Sequence, residues 1–377
     1  MSAARGDVLL TGGTGFVGME VLARYLERGD RRVVMLVRAE NDAAARDRVD
    51  GTLRNLFGLV RARRYAGRVD AVAAELTAPA LGLCPSRREE LARQVSTIVH
   101  SAASVSFTLP LEEARAINVE GTKRMLDFAE LACEHGGLDR YAHVSTAYVA
   151  GTHAGRFAEN DLNVGQEFRN SYEQSKCESE QLVHARTGVP FTIMRPSIVV
   201  GDRRTGWTAA FNVMYWPLRA FARGLYSAVP ANPLAPLDVV SIDYVADAIH
   251  ALCEMPGGIG ETYHLTAGDQ ASTIGEVAEL ASRYFDLPTP AVLSPEDFLV
   301  ATRDVSTTQR AALESSVAYF PYFAIGTTFD DAGARARLDP PGILVSPLRD
   351  YLVRLLDFAT ASRWGKRPIG RAEARAA

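Results

Sequence analysis

The stretch that decides the fold is V-L-L-T-G-G-T-G-F-V-G, from Val8 to Gly18. Its apolar start predicts a buried strand, and the glycines lead into a helical pattern. Gly12, Gly15 and Gly18 have the spacing that allows a tight turn, close approach to a pyrophosphate and close packing of helix on sheet. Free N–H groups at the start of the helix would face the phosphates. The stretch predicts a dinucleotide-binding loop, with contacts from Thr11, Gly12, Thr14, Gly15, Phe16, Val17 and Gly18.

Outward from this loop, short β-branched runs alternate with amphipathic stretches. The predicted strands are Asp7–Leu10, Arg32–Val37, Val69–Ala73, Thr97–His100, Arg140–Val144 and Phe191–Met194. The predicted helices include Gly18–Arg28, Leu111–Glu134 and Ser171–Arg186. This alternation is typical of βα units around a parallel sheet. We expect an α/β fold, a doubly wound sheet of the Rossmann type, with cofactor and substrate meeting at the carboxyl ends of the strands.

After Gly201 the sequence becomes rich in aromatic residues and proline. The spacing of Phe211, Tyr215, Leu218 and Ala222 predicts a helix with one apolar face. Strand and helix patterns return at Leu237–Val240, Asp243–Cys253 and Thr262–Thr266, and mostly helical segments follow. We interpret residues 1–200 plus 238–267 as the nucleotide-binding domain. Residues 201–237 plus 268–377 are expected to form a smaller, mostly helical substrate-binding cap.

Composition excludes several classes of protein. Lysine and arginine number 41 against 45 acidic residues, a net charge of −4, whereas a nucleic-acid-binding protein usually has a basic excess. The sequence contains no run of 18 apolar residues, the length that would predict a membrane span, and the N-terminus does not resemble a signal peptide. The four cysteines lie far apart without a C-x-x-C pair, which argues against a metal site and a disulfide framework. A reducing cytoplasm is the expected location.

The end of the second predicted strand indicates which dinucleotide binds. An NAD-selecting carboxylate would stand about 20 residues after the glycine loop, but Arg38 follows the strand here, with Arg48 further on. A guanidinium favours the 2′-phosphate of NADPH through charge-assisted hydrogen bonds. The alternative is that Arg38 is a solvated loop residue, and Glu40 is a nearby acid. After the fourth strand, small residues would let the cofactor lie against the strand end: Ser101, Ala102 and Ala103.

A Y-x-x-x-K spacing places Tyr172 and Lys176 on one face of a predicted helix. The ammonium would favour the phenolate and hold the nicotinamide ribose, while the phenol would donate to a carbonyl oxygen as hydride arrives. Upstream, Thr146 is assigned to bind the substrate carbonyl. Ser145 is the alternative, since strand alternation lets only one of the two point inward. Asn118 is expected to orient a water or a backbone carbonyl near the lysine, or to make a simple helix hydrogen bond.

These motifs together resemble an extended short-chain dehydrogenase/reductase. In chain order they are T-G-G-T-G-F-V-G, H-S-A-A-S-V-S-F, N-V-E-G-T, H-V-S-T-A-Y-V, Y-E-Q-S-K and R-P-S-I-V-V-G, and they span about residues 8–266. The combination is most similar to the thioester-reductase, or "male sterility", branch. That branch contains fatty acyl-CoA reductases and the reductase domains of carboxylic acid reductases and peptide synthetases.

The resemblance implies a Thr146–Tyr172–Lys176 triad that uses NADPH to reduce an acyl thioester. Its product would be an aldehyde, or an alcohol after a second hydride transfer. The acyl group would come from coenzyme A or from a separate acyl- or peptidyl-carrier protein. The resemblance also implies cofactor contacts at Glu75, Leu76, Pro196, Ser197 and Ile198. Glu75 departs from the Asp common in the family, which puts the adenine contacts there in doubt.

The aromatic segment Trp207–Tyr226 has three interpretations. It would form a tunnel or lid for an apolar acyl chain, or ordinary core under a helical cap. A peripheral membrane contact is the third, since Arg219 and Arg223 interrupt the apolar run in a way that suits an interfacial helix. The same arginines, with Arg203 and Arg204, would alternatively attract the phosphate of a pantetheine carrier. The sequence does not indicate an oligomeric state.

Two rival functions share the fold. An epimerase or dehydratase acting on sugar nucleotides, or a hydroxysteroid-type dehydrogenase, would carry the same loop and the same Y-x-x-x-K spacing. The apolar, aromatic cap argues against a sugar nucleotide. A non-catalytic nucleotide-sensing protein is the rival from another class, and the intact Thr146, Tyr172 and Lys176 argue against it.

Overall fold

The computed structural model describes residues 6–314 and 319–376. Its strands are β1 (Asp7–Thr11), β2 (Val33–Val37), β3 (Val69–Ala73), β4 (Val95–His100), β5 (Arg140–Val144), β6 (Gly155–Phe157), β7 (Phe191–Pro196), β8 (Ile198–Val200), β9 (Ala228–Pro230), β10 (Pro236–Leu237), β11 (Val239–Ser241), β12 (Thr262–Leu265), β13 (Ser272–Thr273), β14 (Ala291–Leu293) and β15 (Thr327–Phe329).

The α-helices are α1 (Phe16–Arg28), α2 (Asp42–Ala66), α3 (Pro85–Gln94), α4 (Leu111–His135), α5 (Ser171–Ala185), α6 (Tyr215–Phe221), α7 (Ile242–Glu254), α8 (Ile274–Phe285), α9 (Pro295–Ala301), α10 (Thr307–Glu314), α11 (Ala332–Leu338), α12 (Leu352–Ala361) and α13 (Arg371–Ala376). Short 3₁₀ turns connect several of them. None of these helices combines the length and the apolar composition that crossing a bilayer requires.

Seven parallel strands form the central sheet, in the order β12-β7-β5-β4-β1-β2-β3. All five residues of β2 are buried, as expected for a strand covered on both faces. Helices α1, α2 and α7 contribute to the core on one face, and α3 and α4 to the core on the other. The strand order reverses between β1 and β4, and a crevice opens at such a point. The predicted Rossmann-type α/β fold is confirmed.

The predicted strand 237–240 is in fact two strands in different sheets. Leu237 pairs with Ser272 in an antiparallel sheet, whereas Val239 pairs with Ile198 in a parallel one. Asp238 lies between them, and its carboxylate accepts hydrogen bonds from backbone N–H groups of residues 267 and 268 at 2.8 and 3.0 Å. These bonds hold the chain at the point where it changes sheets. The pattern of the sequence does not indicate this change, so it predicts one continuous strand.

The predicted aromatic helix begins later than its spacing indicates. Tyr215–Phe221 is α-helical, whereas Phe211 lies before the helix, and Val213 between them has a positive φ angle of 38°. The ring of Phe211 still contacts that of Tyr215, with centroids 5.1 Å apart. The aromatic residues therefore share a core without sharing a helix. That core is built with α8, α12 and the Tyr322–Phe323 segment.

The C-terminal helix α13 packs against α2 of the nucleotide-binding sheet. Arg371, only 2% exposed, places Nε 2.5 Å from Glu20 and pairs through both terminal nitrogens with Glu27 at 3.1 and 3.2 Å. Glu20 is itself buried and also pairs with Arg24. A buried ion-pair network thus connects the last turn of the chain to α1.

This network predicts a large stability effect at Arg371. Arg371→Ala would leave a buried Glu20 and a half-paired Glu27, so the free energy of unfolding is expected to fall by about 3–5 kcal/mol. Arg375 contacts Glu27 at 3.4 Å but is 38% exposed, so Arg375→Ala is the matched control with an expected loss below about 1 kcal/mol. Urea unfolding followed by far-UV circular dichroism measures both. Equal losses in the two variants would contradict the prediction.

Candidate active site

A cleft of about 710 Å³ lies at the carboxyl ends of β1, β4, β5 and β7. The predicted site residues that line it come from five separate parts of the chain. They are Gly12, Gly15, Phe16, Val17, Gly18, Ser101, Ala103, Ser145, Thr146, Tyr172, Lys176, Pro196, Ser197 and Ile198. The structure therefore brings most of the predicted residues to one cavity.

The glycine loop fits a dinucleotide phosphate. At Gly12, which has φ +70°, a Cβ would lie 2.7 Å from the backbone nitrogen of Ala102. At Gly18 a Cβ would lie 2.2 Å from the Gly12 carbonyl oxygen, so helix α1 could not pack as it does. Gly15 has a looser contact, 3.2 Å, and faces the cleft. Two glycines thus shape the loop, and the third leaves space in front of the N-terminus of α1.

Thr11 lies behind the loop. Its Oγ1 accepts a hydrogen bond from the backbone N–H of Ala102 at 3.2 Å and lies 2.8 Å from Nδ1 of His100. Asn118, in helix α4, has a similar role. Its side-chain oxygen accepts from the backbone N–H of Ser104 at 2.8 Å, and its amide nitrogen donates to the carbonyl oxygen of Ser104 at 3.0 Å and to the hydroxyl of Ser175 at 2.9 Å. Asn118 therefore connects the loop after β4 to helix α5 through a backbone carbonyl and the residue that precedes Lys176.

Two predicted cofactor-binding arginines, Arg38 and Arg48, lie outside the lining of the cleft but contact each other beside the glycine loop. Arg48 donates to the carbonyl oxygen of Arg38 and, at 3.3 Å, to the hydroxyl of Thr14. Arg38 itself is exposed. The Glu75 carboxylate accepts from the backbone and hydroxyl of Thr77 at 3.0 and 2.9 Å, bonds that hold its pKa below the usual value. Leu76 instead packs against Gly121.

Tyr172 and Lys176 lie in the first turns of α5, which begins after the N-cap Asn170. Burial raises the pKa of Tyr172 to about 12, although a hydrogen bond with the Thr146 hydroxyl opposes that shift. Burial lowers the pKa of Lys176 to about 8. With these pKa values the pair is a phenol and an ammonium near neutral pH, and an effect of the lysine on the phenol stays a prediction.

Ser145 and Thr146 both line the cleft. The alternation used to choose between them does not extend this far, because β5 ends at Val144 and Thr146 already caps the following 3₁₀ turn. Thr146 accepts from the backbone N–H of Tyr148 at 3.3 Å, whereas the buried Ser145 hydroxyl has no partner among the described residues. Strand alternation does not apply beyond the end of the strand.

Sequence reasoning missed an aromatic wall of the cleft. The ring of Phe107 stacks on Tyr172 at 5.9 Å and on Tyr322 at 5.1 Å. The Tyr322 hydroxyl donates to the buried Glu173 at 2.6 Å and accepts from the amide of Asn170 at 2.8 Å. A residue far along the chain is thereby fixed to the start of α5. The Y-F-P-Y-F run at 319–323 was the signal, but its spacing indicates no partner.

Known proteins resemble this chain in sequence. The male sterility protein family, an NAD-binding family, matches residues 10–249. The nonribosomal peptide synthetase asaC of Aspergillus flavus is 32% identical over 279 residues, which cover 70% of this chain and 26% of that protein. The fatty acyl-CoA reductase wat of Drosophila melanogaster is 31% identical over 242 residues, covering 56% and 46%. The chain thus spans less than half the length of these two relatives.

Among solved structures, the terminal R domain of the myxalamid biosynthetic pathway superposes with a TM-score of 0.82 and 25% identity. The alignment covers 98% of this chain and 94% of that domain. The similarity therefore includes the cap as well as the sheet.

Proposed function

The chain belongs to the male sterility protein family, and from this premise we propose that it reduces an acyl thioester with NADPH. The observation that carries the proposal is the cleft that Thr146, Tyr172 and Lys176 share with the glycine loop. Hydroxyl donors beside a dinucleotide site are what a carbonyl needs when it accepts a hydride. The two relatives support the thioester, because one is named a fatty acyl-CoA reductase and the other a peptide synthetase.

Bound NADPH would supply the hydride to the thioester carbon. Tyr172 donates its phenolic proton to the carbonyl oxygen as that oxygen gains charge, and the Thr146 hydroxyl hydrogen-bonds the same oxygen. The C–S bond of the resulting thiohemiacetal then breaks, its hydroxyl proton returns to Tyr172, and the thiolate takes up a proton from water. The products are an aldehyde and a thiol. A second round at the aldehyde would give an alcohol.

The expected acyl donors are coenzyme A and a carrier protein with a phosphopantetheine arm. The name of the Aspergillus flavus relative, a peptide synthetase, supports the carrier, and that of the Drosophila melanogaster relative supports coenzyme A. The test follows NADPH absorbance with a panel of acyl-CoAs, acylated carrier proteins and free aldehydes, together with released thiol. NADPH loss that matches thiol release is expected. Oxidation with aldehydes alone would reduce the proposal to an ordinary carbonyl reductase.

The selection of NADPH is assigned to Arg38, supported by the nearby Arg48 and Thr14. Arg38→Ala removes a charge-assisted contact to the 2′-phosphate, so the Kd of NADPH is expected to rise about 10- to 100-fold while that of NADH changes less than about threefold. Arg46→Ala is the control, because Arg46 lies 4.0 Å from Asp50 and Asp70. Fluorescence titration of the reduced cofactors measures this. Equal weakening of both nucleotides would remove the assignment.

The pH dependence of the reaction is expected to follow Lys176. With a pKa of about 8 its ammonium is lost as the pH rises through that value, whereas the phenol of Tyr172, at about 12, stays protonated. Since both protonated forms are needed, kcat/KM is expected to be flat near pH 7 and to fall about tenfold per pH unit above pH ~8. An initial-rate profile from pH 6 to 10 tests this. A flat profile to pH 10 would contradict it.

A further inference from the structure

The ammonium of Lys176 is held from behind by strand β5. Its Nζ donates to the carbonyl oxygen of Val144 at 2.9 Å and lies 3.3 Å from Nε2 of His143. Lys176 and His143 are 3% and 0% exposed, so water does not compete for these contacts. An ammonium has three hydrogens. Two of them point to the strand, and the third remains for the cleft that Lys176 lines.

The chemistry of the pair fixes the protonation of His143. An ammonium offers donors only, so Nε2 must accept, and the ring proton must sit on Nδ1. Burial and the neighbouring Lys176 charge hold the pKa of His143 well below its usual value, so the ring is neutral. His143 is therefore an acceptor aimed at the ammonium.

This arrangement is costly for the fold. The Nδ1 atom of His143 is buried and has no hydrogen-bond partner among the described residues. A buried donor without a partner costs free energy that an apolar side chain of similar size would not. Stability alone would thus favour an apolar residue at 143. The contact with Lys176 gives the histidine a reason to be there.

The other charged groups around the pair do not replace this contact. The charge of Glu180, on the same helix, opposes the effect of burial on the pKa of Lys176. Its carboxylate is hydrogen-bonded to Arg195 instead, at 3.0 Å from Nε and 2.6 Å from a terminal nitrogen. On the sheet side the ring of His100 lies 5.6 Å from that of His143, and burial lowers its pKa to about 3. Burial also lowers the pKa of His184, from α5, which favours its neutral form. His143 is then the side chain that meets the ammonium directly.

We propose that His143 is a positioning residue that holds the Lys176 ammonium charged and aimed into the cleft. The proposal rests on the thioester-reductase function for its catalytic consequence. Its physical core, an imidazole acceptor behind the lysine, is independent of that function. Loss of the acceptor leaves Lys176 with one contact to the strand. Its protonated form is then less stabilised, and its side chain is less firmly oriented towards the cleft.

The test uses the small number of lysines. The chain has three, Lys123, Lys176 and Lys366, so protein labelled with ¹³Cε-lysine gives three side-chain signals to titrate without nucleotide. The matched pair of variants is His143→Met, whose thioether is only a weak acceptor, and His143→Gln, which carries a strong acceptor at similar reach. Tyr141→Phe is the strand control, because its ring stacks near His143 at 6.4 Å and its buried hydroxyl has no partner among the described residues.

In His143→Met the titration midpoint of Lys176 is expected to fall by at least about one unit, whereas His143→Gln and Tyr141→Phe should stay within about half a unit. The alkaline limb of kcat/KM and the affinity for NADPH at pH 8, about fivefold lower, are expected to move with it. Thermal stability of His143→Met should be unchanged or higher. An unchanged Lys176 midpoint in a folded His143→Met protein would overturn the proposal.

If His143→Met does not fold, the wild-type chain still decides the question. ¹⁵N-histidine labelling reports the tautomer of each ring, and His143 is expected to carry its proton on Nδ1. A proton on Nε2 at neutral pH, or a cationic ring, would overturn the proposal. Failure of the thioester-reductase function would show separately, as absence of thiol release by a wild-type protein whose Lys176 still titrates as expected.

Discussion

Replacing Tyr172 with phenylalanine is expected to lower kcat for thioester reduction by about 10²- to 10⁴-fold, the usual contribution of a positioned acid. The phenol is the proton donor, and with a pKa of about 12 it holds its proton at the pH of the assay. Phenylalanine keeps the ring that stacks on Phe107, so the cleft is expected to keep its shape. The measurement is initial rate at saturating NADPH, with NADPH affinity determined in parallel.

The matched control is Tyr148→Phe. Tyr148 lines the same cleft, but its hydroxyl donates to the backbone carbonyl of Asp238 at 3.4 Å, so less than about a threefold change in kcat is expected. If Tyr172→Phe retained more than a tenth of the wild-type rate, the assigned proton donor would be wrong. If the wild-type protein bound NADPH tightly but turned over no thioester or aldehyde, a nucleotide-sensing role would gain support.

Thr146→Val is expected to lower kcat by about 10²- to 10³-fold, the effect of removing one donor from a developing oxyanion. Valine has nearly the shape of threonine but lacks the hydroxyl that pairs with Tyr172. The alkaline limb should not move, because Lys176 is untouched. Rates over the same pH range check both statements.

Two controls separate chemistry from structure at this position. Thr146→Ser keeps the hydroxyl and the acceptor for the Tyr148 backbone N–H, so it is expected to recover most of the rate. Ser145→Ala removes the hydroxyl of the neighbouring residue, which also lines the cleft. A larger loss from Ser145→Ala than from Thr146→Val would transfer the carbonyl contact to Ser145.

The sequence predicted the central sheet well because most of its strands are apolar runs between helical patterns. The fully buried β5 and the partly buried edge strand β3 have the predicted bounds, Arg140–Val144 and Val69–Ala73. The structure of the cap was harder to predict, since the aromatic residues of its core come from segments far apart in the chain. Periodicity alone does not distinguish a helix from irregular chain that buries the same rings.

The candidate site likewise has a part that the sequence predicts and a part that it does not. Spacing within one element, as in the glycine loop or between Tyr172 and Lys176, is visible in the sequence because one element fixes its geometry. Contacts between elements are not visible: neither His143 behind Lys176 nor Tyr322 beside Glu173 follows from any local pattern. Strand alternation also gives no guide to Ser145 and Thr146, since both follow the end of β5 at Val144.

The bond between Tyr322 and Glu173 also sets an order of assembly during synthesis. When a ribosome has released residues up to about 300, every strand of the central sheet is available, since β12 ends at Leu265. The partner of Glu173 and Asn170 has not yet emerged, because it lies 149 residues after Glu173. A nascent chain would thus be able to fold a nucleotide-binding sheet before its substrate cleft is complete. Cofactor capture would then precede catalytic competence, and a hybrid with a foreign cap would need a tyrosine at this place.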